Sequence, residues 1–214
     1  MEKKLVSTLS GKEYPFDRIE EFAENGESLE VSLPDISSAK VRKGENLIHR
    51  YTEFFPFEAM PSMASLGEGE TPLLQAESKL AEYTGISEMY LKNETLNPTW
   101  SFKDRGSLAC MLMSQEMGEK TTATISTGNM GNSIAAYGAR YGMNTFVFVP
   151  ESTSLEKIMA MSIHGANVIK VEAPDYSEMK KHILDMAKDL KLRVVSGNGP
   201  IRVEGYKLTA FELF

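Results

Sequence analysis

From Leu66 onward, short β-rich runs alternate with amphipathic helical segments, and this alternation restricts the fold more than any other feature of the chain. Glu88-Met89-Tyr90-Leu91-Lys92 reads as a strand, Asn97-Pro98-Thr99 as a turn, and Phe102 to about Gln115 as a helix. Thr121 to Ser126 is strand-like, and Ile134, Tyr137, Gly138 and Tyr141 follow at helical spacing. Thr145-Phe146-Val147-Phe148-Val149 is a continuous apolar run closed by Pro150, the pattern of a strand buried on both faces. Leu155, Ile158 and Met159 face one way on the next helix. Asn167 to Val171 is a strand, and Met179, Ile183, Met186 and Leu190 stripe another helix. Leu192 to Val195 is the last strand. Val203 to Phe214 reads as the start of a helix, with Tyr206, Thr209, Ala210 and Leu213 at compatible spacing, and the sequence stops there without a cap or breaker. Units of these lengths in alternation imply an α/β fold, a parallel sheet wrapped by helices. Residues 1 to about 60 are different in character. They are polar and turn-rich, with short apolar pieces such as Leu29-Glu30-Val31, and are expected to form a β-rich extension separate from 61–214.

The composition narrows the functional classes. With 30 acidic against 23 basic side chains the formal charge is −7, the wrong sign for a nucleic-acid surface or a basic membrane-surface helix. No apolar run approaches the roughly 20 residues of a transmembrane helix, and the first residues show no secretory apolar segment. One cysteine, Cys110, excludes an intramolecular disulfide and a cysteine-based metal cluster, and reads as a buried small hydrophobe. His49, His164 and His182 show no ligand spacing, so no metal site is expected. The 13 methionines sit mostly at helical spacing and read as core filling. These features point to a cytoplasmic protein with no nucleic-acid or membrane partner.

Two segments carry chemistry. In Asn97-Pro98-Thr99-Trp100-Ser101-Phe102-Lys103-Asp104-Arg105-Gly106, Ser101 and Asp104 fit a capping box at the start of a helix. Lys103 does not fit that reading, because a cation in the first turn opposes the helix dipole by up to about 1 kcal/mol. The same field, with Arg105 nearby, favours a neutral amine, the form that attacks an aldehyde. The second segment is Ser126-Thr127-Gly128-Asn129-Met130-Gly131-Asn132, between a strand and a helix. Small residues there expose backbone N–H groups beside a helix N-terminus, which either cradle a carboxylate or phosphate or simply make a tight turn. The run matches neither the dinucleotide nor the P-loop glycine pattern.

Asn97 to Gly106 resembles the N-P-T-G-S-F-K-D-R-G signature of threonine synthases, and Ser126 to Ser133 resembles their S-T-G-N segment. Leu66-Gly67-Glu68-Gly69-Glu70-Thr71-Pro72-Leu73 is similar to their G-E-G-x-T-P-L run, and Pro200 to Lys207 to their P-x-R-x-E-G-x-K segment. The resemblance implies a fold-type II pyridoxal-phosphate (PLP) enzyme, tryptophan-synthase-β-like, with a small domain at about 100–196 and only the beginning of a larger one. It implies that Lys103 attaches the PLP cofactor and acts in catalysis, and that Asn129 bonds the cofactor's phenolic oxygen. It implies further that Ser126, Thr127, Gly128 and Met130 hold the substrate carboxylate, and that Arg202 faces the phosphate of O-phosphohomoserine. The partner is then a small amino-acid substrate, and the family allows a homodimer.

Several positions depart from that pattern. Trp100 stands where the family has Gly, and Gly197 about where a serine near the substrate phosphate is expected. Ser7, Ser10, Phe22 and Asn25 fall where many relatives carry the four cysteines of a zinc ribbon, so no zinc is expected. The family's phosphate-binding glycine loop and its pyridine-nitrogen partner would lie beyond residue 214. A threonine or serine dehydratase on the same fold, a non-catalytic remnant and a nucleotide-binding module stay open as alternatives.

Overall fold

The computed structural model describes residues 3–33, 35–44, 46–58, 60–61 and 63–214. The polar N-terminal stretch folds as a small antiparallel sheet of β1 Lys4–Ser7, β2 Glu13–Pro15 and β3 Leu29–Ser32, in the order β2-β1-β3. Leu5 lies opposite Tyr14 on one side and Val31 on the other, and Leu5, Tyr14 and Leu29 turn inward while their neighbours face water. Three of the four positions where relatives carry cysteines, Ser7, Ser10 and Asn25, converge on one carboxylate. Ser7 and Asn25 donate to Glu27, and Ser10 Oγ donates to its Oε2 at 2.7 Å. Phe22 takes no part and forms a backbone bridge with Ser28.

After a single turn of helix, α1 Leu47–Arg50 capped by Asn46, comes a two-stranded antiparallel sheet of β4 Leu73–Gln75 and β5 Tyr90–Lys92. Between its strands lies α2 Ser78–Thr84, closed by Gly85 in the left-handed conformation at φ 72°. The next helix, α3 Lys103–Glu116, is buried without interruption from Asp104 to Ser114, as a helix at the centre of a fold must be. Its cargo of Leu108, Met111, Leu112 and Met113 joins Leu5, Tyr14, Phe16 and Leu29 of the N-terminal region in one apolar cluster. Each such side chain contributes about 1.5–3 kcal/mol on burial, so the N-terminal sheet is held by a core it shares with α3.

The parallel sheet follows: β6 Thr121–Ile125, α4 Asn129–Arg140, β7 Asn144–Pro150, α5 Leu155–Ser162, β8 Asn167–Val171, α6 Tyr176–Asp189 and β9 Val194–Val195, with strand order β8-β7-β6-β9. Helices cover both faces. Ala123, Ile125 and Phe148 pack on Met179 and Ile183 of α6, whereas Val147 and Val149 pack on Ala135 of α4 and Met161 of α5. Successive residues of β7 therefore serve opposite layers, which is why the run is apolar throughout. The chain ends in α7 Pro200–Tyr206 and α8 Leu208–Leu213.

Three details differ from the periodicity. Leu155 and Met159 of α5 are exposed and Met161 is the buried residue, because this eight-residue helix caps the sheet beside its edge strand and needs one inward side chain. On α6 the inward stripe is Met179, Ile183 and Ala187, while Met186 and Leu190 face outward. The terminal segment is two helices, and the first starts at Pro200, whose missing N–H costs nothing in a first turn. Among the described residues no helix is long and apolar enough to cross a membrane.

Candidate active site

In the order β8-β7-β6-β9 the first strand lies inside the sheet, its two successors leave to one side, and β9 is added on the other. The winding therefore reverses between β6 and β9, and in open α/β sheets a ligand site forms at such a reversal, outside the carboxyl ends of the strands. The loop after β6 is 126–128, leading into α4; that after β9 is 196–199, leading into α7. A Cβ on Gly197 would lie 3.7 Å from Met130 Sδ, so the two loops meet there.

Ser126 closes its own turn. Its Oγ accepts from the N–H of Gly128 at 3.3 Å and of Gly131 at 3.1 Å. Gly131 allows this, since any Cβ would lie 2.8 Å from Met161 Cε and 2.9 Å from the Ser126 carbonyl. Asn129 and Met130 head α4, where amides have no intrahelical carbonyl to bond. Thr127 is half-buried, and Gly128 and Asn129 are exposed.

Lys103 heads α3, and the local cap differs from the capping box read from the sequence. Ser101 Oγ accepts from the Lys103 N–H at 3.1 Å. Asp104 does not return to Ser101; its fully buried carboxylate accepts from Thr99 N at 2.6 Å and from Thr99 Oγ1. Ser133 Oγ of α4 is hydrogen-bonded to the same carboxylate at 2.6 Å and to Ser107 Oγ at 2.7 Å. Asp104 is thus used to clamp α4 and the Asn97–Thr99 turn against α3, which sets the two N-terminal turns side by side. Below them Arg105, with no exposed surface, bonds Glu94 through Nε and Nη2 at 2.8 Å each and pairs with Glu212 of α8. Burial acts to raise the pKa of Glu94, but Arg105, Thr71 and Asn97 outweigh it and hold the carboxyl at about 2.

The Lys103 side chain is half-buried, with Nζ 3.3 Å from Tyr206 Oη and 4.2 Å from the centre of the Phe102 ring. Arg202 lies under the first turn of α3 with no exposed surface. Its Nε donates to the Ser196 carbonyl at 2.7 Å, and its Nη1 lies 3.3 Å from both the Lys103 carbonyl and Ser107 Oγ. Burial disfavours its charge, but Cys110, Tyr206 and Glu21 outweigh that and leave its pKa raised. Glu21 comes from the N-terminal region; its Oε2 accepts from Ser196 N at 2.7 Å, and a Cβ on Gly199 would lie 2.4 Å from the carboxylate. Burial pushes the pKa of Glu21 up, against the pull of Ser196, Arg202 and Arg193. Trp100, beside the lysine, is 73% exposed and holds φ at 64°, a conformation that costs a non-glycine residue about 1–3 kcal/mol. Cys110 is enclosed, and burial pushes its thiol up to about 12, so it has no part in the chemistry.

The structure therefore sets the head of α3, with Lys103, beside the head of α4, with Ser126 to Met130, through the Asp104–Ser133 bond, and places buried Arg202 against the Lys103 carbonyl. Sequence reasoning passed over Tyr206, Glu21 and Ser133. Tyr206 alone carried a signal, since it stands one helical turn after Arg202 and on the same face. The donor set suits an aldehyde cofactor with anionic groups: a reachable amine, an exposed carboxamide and a helix N-terminus. Among the described residues seven buried side-chain polar atoms have no partner, and two of them, Asn132 Oδ1 and Arg202 Nη2, belong to α4 and α7.

The family profile described as pyridoxal-phosphate dependent enzyme matches residues 64–214. The threonine synthase of Methanocaldococcus jannaschii is 36% identical over 210 residues, covering 95% of this chain and 51% of its own length. That of Halalkalibacterium halodurans is 36% identical over 172 residues, covering 78% of this chain and 47% of itself. This chain thus spans about half the length of these curated relatives. Among solved structures, the processed form of threonine deaminase isoform 2 from Solanum lycopersicum superposes with a TM-score of 0.60 at 27% identity, covering 68% of this chain and 40% of that one. The chain belongs to the pyridoxal-phosphate dependent enzymes, with their fold-type II architecture and with pyridoxal 5'-phosphate as its cofactor.

Proposed function

We propose that this chain serves a threonine synthase, which converts O-phosphohomoserine and water to threonine and phosphate. One observation carries the choice within the family. The likeness to the M. jannaschii threonine synthase runs over 95% of the chain and so takes in the N-terminal sheet, whereas the deaminase likeness stops at 68%. In this reading the N-terminal extension, residues 1–60, belongs to the enzyme's own architecture, and the small cofactor domain covers about 100–196. The enzyme is cytoplasmic and takes a small amino acid as its partner.

The cofactor, when bound, draws electrons away from the substrate carbons. Lys103 would hold it through its amine and would take up and return protons at the substrate carbons. Asn129 would donate its carboxamide to the cofactor's phenolic oxygen. Ser126, Thr127, Gly128 and Met130 offer the head of α4 to the substrate carboxylate, which fixes the orientation of the bond to be broken. Arg202 places a positive charge under the first turn of α3, on the side of the substrate phosphate. A second reading, a threonine or serine dehydratase, is favoured by the full burial of Arg202 and by Trp100 beside Lys103.

The test is a substrate panel with the PLP-loaded, full-length protein. Phosphate and threonine should appear in equal amounts from O-phosphohomoserine, and Lys103→Ala should lose about 10²–10⁴-fold of the rate. A 2-oxo acid formed from threonine or serine, with no phosphate released from O-phosphohomoserine, would move the assignment to the dehydratase.

A further inference from the structure

Helix α7 holds Lys103 at both ends. Arg202 Nη1 reaches the lysine carbonyl at 3.3 Å, and Tyr206 Oη lies 3.3 Å from the lysine Nζ. The two residues are four apart, so they share one face of the helix. That face comes close because α3 presents glycine beneath it. A Cβ on Gly106 would lie 2.5 Å from Arg202 Cγ and 2.7 Å from Tyr206 Cε1. From the other side, a Cβ on Gly205 would lie 2.1 Å from the Arg105 carbonyl oxygen. The Tyr206 ring tilts against Phe102 with centroids 5.0 Å apart, and Nζ sits 4.2 Å and 5.4 Å from the Phe102 and Tyr206 ring centres. A flexible side chain is thereby confined to a notch of two rings with one hydroxyl at its end.

We propose that Tyr206 is a positioning residue for Lys103, its hydroxyl accepting a hydrogen bond from Nζ and holding the amine where it meets the cofactor's aldehyde. The proposal rests on Lys103 as the attachment point. In that step the amine nitrogen bonds the aldehyde carbon, and the aldehyde oxygen leaves as water with the two nitrogen protons. Lysine carries among the largest side-chain rotamer entropies, so an amine already fixed in place reacts faster than a free one.

Tyr206→Phe separates the hydroxyl from the packing, because it keeps the ring and its contact with Phe102. The wild-type protein, Tyr206→Phe and Lys103→Ala are each mixed with pyridoxal 5'-phosphate. The rise of the visible absorption of the lysine adduct is followed, the adduct is reduced with borohydride, and the labelled peptides are mapped. The wild type should carry the label on Lys103. Tyr206→Phe should form the same adduct about tenfold more slowly, the loss expected for one hydrogen bond, with an unchanged melting midpoint. Equal rates at Lys103 in the two proteins would overturn the proposal, as would a lowered melting midpoint with an unchanged rate. A wild-type label on another lysine would remove the attachment point itself, and this proposal with it.

Discussion

Ser7, Ser10 and Asn25 each donate to Glu27, and these bonds, Ser7's first, hold its carboxyl below the ordinary 4.5. Hydrogen bonds to the charged form contribute stability that is present above the unfolded pKa and lost as pH falls through the lowered folded value. The gap in unfolding midpoint between wild type and Glu27→Gln should therefore be full at neutral pH and shrink once pH falls below the ordinary 4.5. Denaturant unfolding at a series of pH values measures it; a gap that stays constant down to strongly acid pH would contradict this role for Glu27. At this scale legibility follows distance along the chain. Lys103 and Asn129 are proposed from short motifs that contain them. Glu21 meets Ser196 and Tyr206 meets Lys103 only through the tertiary fold, so nothing local to either residue announces its partner. Glu27 meets its three donors only when the turns around it close.

The alternation of strands and helices was legible because each β/α unit buries its apolar run in a sheet covered on both sides, as at Thr145 to Val149. Faces were less legible where a helix sits at the margin. α5 packs against the sheet's edge and needs only Met161 inside, so Leu155 and Met159 show a helical spacing that reports no burial. The break between α7 and α8 was missed because the apolar spacing continues across it. Element packing also sets the tolerance to substitution. A Cβ on Gly205 would lie 2.1 Å from the Arg105 carbonyl oxygen and 2.8 Å from Gly106 Cα, which are backbone atoms of the fully buried α3. Gly205→Ala should therefore force α7 off α3 and destabilise the protein by about 1–3 kcal/mol or more. Gly128→Ala, with open space around the added atom, serves as the control for thermal melting. Equal melting midpoints for the two variants would show that α7 does not depend on this close approach.

For the whole molecule, the N-terminal sheet and the parallel sheet are joined through α3 and α7. Leu5, Tyr14 and Leu29 share a core with Leu108, Met111 and Ile201, and Glu21 ties the 196–199 turn to the N-terminal region. The two stretches differ in sequence character, and the core they share is hard to read from sequence because the apolar residues that form it, such as Leu5 and Leu29, are scattered among polar ones. The place of the site follows from strand order, which no single segment encodes: α3 and α4 present their N-termini beside the winding reversal between β6 and β9. We propose that this arrangement holds pyridoxal 5'-phosphate on Lys103. The most direct measurement is the site of attachment in the full-length, cofactor-loaded protein, found by borohydride reduction, proteolysis and mass spectrometry. One equivalent of cofactor on the peptide containing Lys103, absent from Lys103→Ala, is the predicted result; stoichiometric label on a different lysine would contradict it.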